Sequence, residues 1–191
     1  MSEDKLRLLS ASEQQTHDVG ERLGRWLRQG DVVLLHGDLG AGKTRLAQGI
    51  ARGLAVDSVV HSPTFGLVHE YDGRSGDGEP VRLYHLDLYR LAGPNELDSF
   101  GFDDYLPPAD GISLIEWPER AVDRLPDRYL LVHLEHAGER QRRLTIEVVP
   151  HDAAHNARLE ALRRDLDGPV QPADRDDRGE WSPDQRGPGH A

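Results

Sequence analysis

The stretch that decides the fold covers residues 32–54 and has the sequence VVLLHGDLGAGKTRLAQGIARGL. Its first four residues form a short, continuous apolar run, which is typical of a strand buried on both faces of a parallel sheet. Further along, Leu46, Ile50 and Leu54 recur at helical spacing, so we expect a helix there. Between the two, residues 37–44 (GDLGAGKT) match the pattern G-x-x-x-x-G-K-[ST]. The sequence therefore predicts a strand, a phosphate-binding P-loop and a helix in that order.

Each residue type in this loop has a physical role in holding phosphate. Glycine lacks a Cβ, so successive backbone N–H groups can turn toward an anion, and the following helix directs its positive N-terminal end at the same place. Lys43 can supply charge to the β- and γ-phosphates, and the Thr44 hydroxyl can bind Mg²⁺. The pattern should occur by chance in on the order of one chain in a thousand. The residues that we expect to bind nucleotide are Gly37, Asp38, Leu39, Gly40, Ala41, Gly42, Lys43 and Thr44.

Two acidic residues lie where predicted strands end. Asp87 follows the run VRLYHL at residues 81–86, and Glu116 follows the run ISLI at residues 112–115. Ligands of open α/β sheets bind at the carboxyl ends of the strands, so either acid could be the carboxylate that nucleotide hydrolysis needs near Mg²⁺. For either acid alone, a strand-terminal carboxylate facing water is the alternative. Thr64 is a candidate for a switch hydroxyl that senses Mg²⁺ or the γ-phosphate.

The segments around the P-loop predict one α/β domain. Ser10 and Glu13 have the spacing of a capping box at the start of the first helix. We expect a three-layer P-loop NTPase fold with a mainly parallel central sheet and a late antiparallel hairpin, in a single domain over residues 1–167. Residues 168–191 are rich in Pro, Gly, Asp and Arg, so we predict a disordered tail. The predicted elements are helices over 11–28 and 151–167 and strands over 81–89, 112–117, 129–135 and 142–149.

Composition excludes several classes of protein. The 191 residues include 23 basic and 34 acidic side chains, for a net charge of -11. Such a chain lacks the basic surface that supplies most of the affinity for nucleic acid, so we expect no strong nucleic-acid binding by this protein alone. Cysteine is absent, which excludes disulfides and thiolate metal sites. No apolar run approaches the roughly 18 residues of a membrane span, and the start MSEDK is unlike a signal peptide, so we expect a cytoplasmic protein.

Four motifs in this order resemble the TsaE family, the bacterial P-loop ATPases of tRNA threonylcarbamoyladenosine synthesis. They are GDLGAGKT at 37–44, SPTF at 62–65, HLDLYR at 85–90 and IEWPE at 115–119. The likeness extends over about residues 13–148, and four ordered motifs are far more specific than a P-loop alone. One departure is Arg45, where the family usually has a second threonine after the P-loop threonine.

The resemblance implies a set of site residues and partners. ATP and Mg²⁺ would be the cofactors, and TsaD and TsaB would be the protein partners, whose assembly transfers a threonylcarbamoyl group to the adenosine at position 37 of tRNA. The chain would meet tRNA only through that complex, and its ATP hydrolysis would reset the complex between turnovers. The implied roles are phosphate binding for Lys43, Mg²⁺ binding for Thr44 and Glu116, a switch position for Thr64, turnover for Asp87 and a place beside the nucleotide for Trp117.

Two other functions are compatible with a P-loop domain of this size. One is a small-molecule kinase, although no arginine-rich lid is evident between residues 91 and 110. The other is a nucleotide-gated scaffold that binds ATP and hydrolyses little of it. Three arginines of the late hairpin, Arg140, Arg142 and Arg143, could contact nucleotide or tRNA, but a solvated strand face is the simpler interpretation.

Overall fold

A computed structural model describes residues 5–63, 66–91, 93, 95–166, 171–172, 181 and 183. Thr64 therefore lies outside the described residues. Within the described part of the chain, no helix combines the length and apolarity needed to cross a bilayer. The strands are β1 Lys5–Ser10, β2 Val32–His36, β3 Val68–Arg74, β4 Pro80–Asp87, β5 Gly111–Glu116, β6 Tyr129–His136, β7 Arg142–Val149 and β8 Gln171–Pro172. The helices are α1 Glu13–Trp26, α2 Lys43–Gly53, α3 Asn95–Ser99 and α4 Ala153–Leu166, with 3₁₀ helices at Phe102–Tyr105 and Pro118–Arg124.

These strands form one sheet in the order β3-β4-β5-β2-β6-β7-β1-β8. The four central strands, β4, β5, β2 and β6, are mutually parallel, whereas β3 at one side and β7, β1 and β8 at the other pair antiparallel. The predicted parallel centre and the predicted late hairpin, which is β6–β7, are both confirmed. The carboxyl ends of β2, β4 and β5 consequently meet at one edge of the sheet.

The sheet is covered on both faces, which makes three layers. Val33 and Leu35 of β2 belong to the core beneath α1, α2 and α4, where Leu23, Ile50 and Leu162 are fully or almost fully buried. The neighbouring β2 residues Val32 and Leu34 face the opposite core, which contains Leu97, Phe102 and Ala121 of α3 and the 3₁₀ helices. A strand buried on both faces has to be apolar throughout, which explains the continuous run in the sequence.

Helices α1 and α2 touch through their backbones, because each carries two glycines four residues apart. A Cβ added to Gly24 would lie 2.2 Å from the Ile50 carbonyl oxygen, and one added to Gly49 would lie 2.1 Å from the His17 carbonyl oxygen. Gly20 and Gly53 are equally crowded by backbone atoms of the opposing helix. This close approach fixes the position of α2, the helix that begins in the P-loop.

The start of α1 differs from the predicted capping box. The N-cap is Ser12, whose Oγ accepts a hydrogen bond from the Gln15 N–H at 3.2 Å, and Gln15 Oε1 accepts one from the Ala11 N–H at 2.6 Å. Ser10 instead ends β1, a strand absent from the sequence predictions, and its hydroxyl lies 2.8 Å from the Thr16 hydroxyl. The prediction was wrong because β1 extends to Ser10, which moves the start of the helix two residues along.

Parts of the predicted C-terminal tail are described. Gln171 and Pro172 pair with Leu9 and Leu8 at the edge of the sheet. The Trp181 ring stacks on the His36 ring with centroids 4.6 Å apart, at the end of the strand that leads into the P-loop. Burial lowers the pKa of His36 to about 4, so this ring is neutral at physiological pH. The domain boundary at residue 167 stays a prediction, as does the disorder of the segment that follows it.

Candidate nucleotide site

The loop between β2 and α2 has a backbone that only glycine adopts easily. Gly37, Gly40 and Gly42 have φ angles of +147°, +78° and +103°. A Cβ on Gly37 would also lie 2.3 Å from the Leu134 carbonyl oxygen. Gly42 is the N-cap of α2 and has no side chain to cap the helix. Because the first amides of a helix lack intrahelical partners, the start of α2 can donate hydrogen bonds to an anion.

Lys43 is held at the inner side of this loop. Its side chain is buried, and its Nζ donates to the carbonyl oxygens of Gly37 at 2.5 Å and Asp38 at 2.9 Å. The same Nζ lies 3.7 Å from the centroid of the Trp117 ring, a cation–π contact. Burial lowers the pKa of Lys43, and the nearby carboxylates, of which Glu116 acts most strongly, oppose that shift. The loop and the tryptophan together fix one positive charge beside the start of α2.

Glu116 lies at the centre of a buried polar cluster at the end of β5. The Thr44 Oγ1 is 3.3 Å from one of its carboxylate oxygens and 3.4 Å from the other. His85 of β4 is fully buried, and its Nε2 lies 2.9 Å from Glu116 Oε1. With a proton on Nε2, His85 can donate this hydrogen bond and orient the carboxylate. Thr44 and Glu116, which were predicted to act together, are 72 positions apart in the chain, and the fold brings their side chains into contact.

Asp87 lies next to Glu116, because the parallel register of β4 and β5 aligns the two residues. Asp87 Oδ1 accepts a hydrogen bond from the Tyr89 N–H at 3.0 Å, and Oδ2 accepts one from the Ser62 hydroxyl. These donors hold the carboxylate in one orientation. Ser62 is a site residue that the sequence analysis missed, although it belongs to the same SPTF motif from which Thr64 was chosen.

Trp117 forms one wall of the site. Its backbone is in the left-handed region, with φ 61° and ψ 50°, and its N–H donates to the Leu35 carbonyl at 3.3 Å. Its ring packs against Tyr89 with centroids 4.8 Å apart. This strained turn at the end of β5 accompanies the contact of the indole with Lys43 Nζ.

A cleft of about 450 Å³ joins these groups. The predicted residues that line it are Leu39, Gly40, Gly42, Lys43, Thr44, Asp87, Glu116 and Trp117. Residues not predicted also line it, namely Arg45, Ser62, Tyr89 and Arg90. Of the remaining P-loop residues, Gly37 and Asp38 accept hydrogen bonds from Lys43 through their carbonyl oxygens, and Ala41 is fully buried. His85 was not among the predicted site residues, and Arg142, for which a solvated strand face was expected, donates to the Ala41 carbonyl of the loop.

The donor atoms of the cleft suit a hard divalent cation. A hydroxyl and two carboxylates converge beside the helix N-terminus, and oxygen ligands of this kind are those that Mg²⁺ prefers. Thr44 and Glu116 are the pair that could hold such an ion, with Asp87 adjacent. Lys43 and the start of α2 place positive charge beside these oxygen atoms.

The parallel sheet, the glycine loop that enters α2 and the two acids at neighbouring strand ends define a P-loop α/β protein. A crystal structure of YdiB from Bacillus subtilis has the same fold, with a TM-score of 0.65 and 30% sequence identity over 84% of this chain and 95% of that one. A family model described as "Threonylcarbamoyl adenosine biosynthesis protein TsaE" matches residues 10–144.

Curated relatives agree with this match. The chain is 34% identical over 145 residues to the "tRNA threonylcarbamoyladenosine biosynthesis protein TsaE" of Bacillus subtilis, spanning 76% of this chain and 87% of the relative. It is 41% identical over 144 residues to the protein of the same description from Nostoc, spanning 73% and 84%. The chain belongs to the TsaE family of tRNA threonylcarbamoyladenosine biosynthesis, as its four motifs indicated.

Proposed function

We propose that this protein binds Mg-ATP in the P-loop cleft and hydrolyses it to drive turnover of a TsaB–TsaD complex that forms threonylcarbamoyladenosine at position 37 of tRNA. The observation that carries the proposal is the convergence of Lys43, Thr44 and Glu116 at the start of α2. A cation, an Mg²⁺-binding hydroxyl and a carboxylate at one helix N-terminus are the parts that P-loop hydrolysis requires. The assignment to tRNA threonylcarbamoyladenosine synthesis rests on membership of the TsaE family.

Each residue of the cleft has a proposed role in that reaction. Lys43 binds the β- and γ-phosphates, and its hydrogen bonds to the Gly37 and Asp38 carbonyls hold the ammonium group beside the loop. Thr44 and Glu116 hold Mg²⁺, which supplies neutralisation of phosphate charge when it is bound. The loop amides of residues 37–44 bind the phosphate oxygens.

Asp87 is the residue that we assign to the attacking water. Its carboxylate is fixed by the Ser62 hydroxyl and the Tyr89 N–H, so its position does not depend on a ligand. In hydrolysis the water oxygen forms a bond to the γ-phosphorus, and the bond from that phosphorus to the β–γ bridging oxygen breaks. Asp87 orients the water by accepting its hydrogen bond; the phosphate product keeps one hydrogen of the water, and the other is released to solvent as a proton. Trp117 lies beside the nucleotide, and Thr64 is proposed as the switch hydroxyl.

ATP turnover by the purified protein, alone and with TsaB, TsaD and tRNA, tests the proposal. Slow turnover that rises with the partners and accompanies repeated tRNA modification is the expected result, and Lys43→Ala is the inactive control. Turnover that depends on Lys43 but ignores the partners would remove the proposed role in the complex. ATP binding without turnover under any of these conditions would favour the nucleotide-gated scaffold.

A screen of small-molecule phosphate acceptors distinguishes the kinase alternative from the proposed ATPase. ADP formation that requires one metabolite, and no protein partner, would replace the proposed ATPase with a small-molecule kinase.

A further inference from the structure

One side chain of the β6–β7 hairpin binds the outer side of the P-loop. Arg142, the first residue of β7, donates from Nε to the Ala41 carbonyl at 3.0 Å and from Nη2 to the Gly40 carbonyl at 3.3 Å. Its Nη1 donates to the Gln141 carbonyl at 2.9 Å. The guanidinium therefore joins two consecutive peptide groups of the loop to the turn of the hairpin. The solvated strand face expected for this residue is wrong.

The two peptide groups that Arg142 holds have different tasks within the loop. In a trans peptide the C=O and N–H point in opposite directions. The Gly40 carbonyl shares its peptide with the Ala41 N–H, which donates to the Asp38 carbonyl at 3.1 Å and closes the loop on itself. The Ala41 carbonyl shares its peptide with the Gly42 N–H. That N–H therefore points away from Arg142, and Gly42 itself lines the cleft.

Gly42 is the position where this orientation is least determined by the chain itself. Gly42 has a φ of +103°. Because glycine adopts positive and negative φ about equally well, the peptide before Gly42 has little intrinsic preference for one orientation. An external donor on the Ala41 carbonyl removes that freedom before any ligand arrives. Arginine suits this task because it stays protonated and presents donors in a rigid planar fork, whereas lysine offers a point charge on a flexible stem.

We propose that Arg142 is a positioning residue for nucleotide binding, which orients the Ala41–Gly42 peptide so that its N–H meets the β-phosphate of a nucleoside di- or triphosphate. The inference rests on the proposed nucleotide site. Arg142 acts through the loop, because the donors described above are engaged by carbonyl oxygens. Its removal therefore affects ligands that have a β-phosphate more than ligands that lack one.

Calorimetric titration with ADP and AMP tests this role in the full-length protein. We expect Arg142→Ala to weaken ADP binding by on the order of tenfold or more, which is the usual size of a lost charge-assisted hydrogen bond and its pre-organisation. AMP binding should change far less. Arg142→Lys should keep part of the ADP affinity, and millimolar guanidinium should restore part of it to Arg142→Ala.

Arg140 provides the matched control, because it is an exposed arginine of the same turn. Arg140→Ala should bind ADP like the unaltered protein. Equal ADP affinity for Arg142→Ala and the unaltered protein would overturn the inference. So would an equal loss for ADP and AMP without guanidinium rescue, which is the result of general loop damage. Failure of the unaltered protein to bind ADP would instead overturn the proposed nucleotide site itself.

Discussion

Gly49→Ala tests the backbone contact that places the P-loop helix. The new methyl carbon would lie 2.1 Å from the His17 carbonyl oxygen and 3.0 Å from Gly20 Cα, and real Cβ contacts shorter than 3.0 Å essentially do not occur. Because the obstructing atom belongs to the backbone, α1 and α2 must separate by at least about 0.9 Å. That is the difference between the 2.1 Å from the new Cβ to the His17 oxygen and the 3.0 Å lower limit of real Cβ contacts. A flexible side chain could have rotated away, but a helix carbonyl cannot.

The size of the effect follows from two opposing contributions. Overpacking of a well-packed contact costs about 1–3 kcal/mol, and a clash with rigid backbone lies at the upper end of that range. Alanine in place of glycine within a helix recovers up to about 1 kcal/mol. We therefore expect a loss of about 2 kcal/mol in the free energy of unfolding. For a domain of this size, that loss lowers Tm by about 4–8 °C.

Thermal unfolding followed by circular dichroism measures the shift. Gly93→Ala is the control, since a Cβ at Gly93 would have no neighbour within 4 Å among the described residues and its φ is not in the left-handed region. That variant should melt at or slightly above the temperature of the unaltered protein. A Gly49→Ala protein with unchanged or raised Tm would refute the argument that α1 and α2 are in backbone contact.

Three further changes test the cleft. Lys43→Ala should lower ATP affinity at least tenfold, because the buried ammonium is lost; titration with ATP checks this, and retained affinity would contradict the P-loop assignment. Glu116→Ala should raise the Mg²⁺ concentration needed for turnover, and an unchanged Mg²⁺ dependence would transfer the metal role to Asp87. His85→Ala should lower Tm and turnover together because it removes the Nε2 hydrogen bond to Glu116 Oε1 and leaves the buried carboxylate with only the longer Thr44 Oγ1 contacts among the described side chains, at a cost of about 1–3 kcal/mol. His85→Gln should recover part of both if its amide replaces Nε2 as the donor, and equal defects in the two variants would argue against a positioning role.

Short-range patterns predicted the local elements well. The β7 strand has the same bounds, 142–149, in the sequence analysis and in the structure. The glycine positions of the P-loop and the buried strand before it were also apparent, because backbone conformation and burial of neighbouring residues leave their mark within a few positions. Asp87 and Glu116 could each be placed at a strand end for the same reason.

Long-range pairing caused the failures. The β1 strand is only six residues long and is stabilised by β7, more than 130 positions away, so its short alternation was not recognised. The end of β1 in turn decided that Ser12 caps α1, although Ser10 has equally suitable spacing. Arg142 has the composition of a solvated strand residue, and only the fold of the hairpin over the P-loop gives its guanidinium two carbonyls to bind.

The sequence by itself determined that a glycine-rich loop with the P-loop pattern connects a buried strand to a helix, since that motif depends on residue types at fixed local spacing. It also determined the family, through four motifs in order. Only the tertiary structure decided that Asp87 and Glu116 are neighbours, that His85 and Ser62 orient them, and that Arg142 holds the loop from outside. Those contacts depend on sheet order and on the approach of separate segments, which hydrogen bonding and core packing over the whole chain establish together.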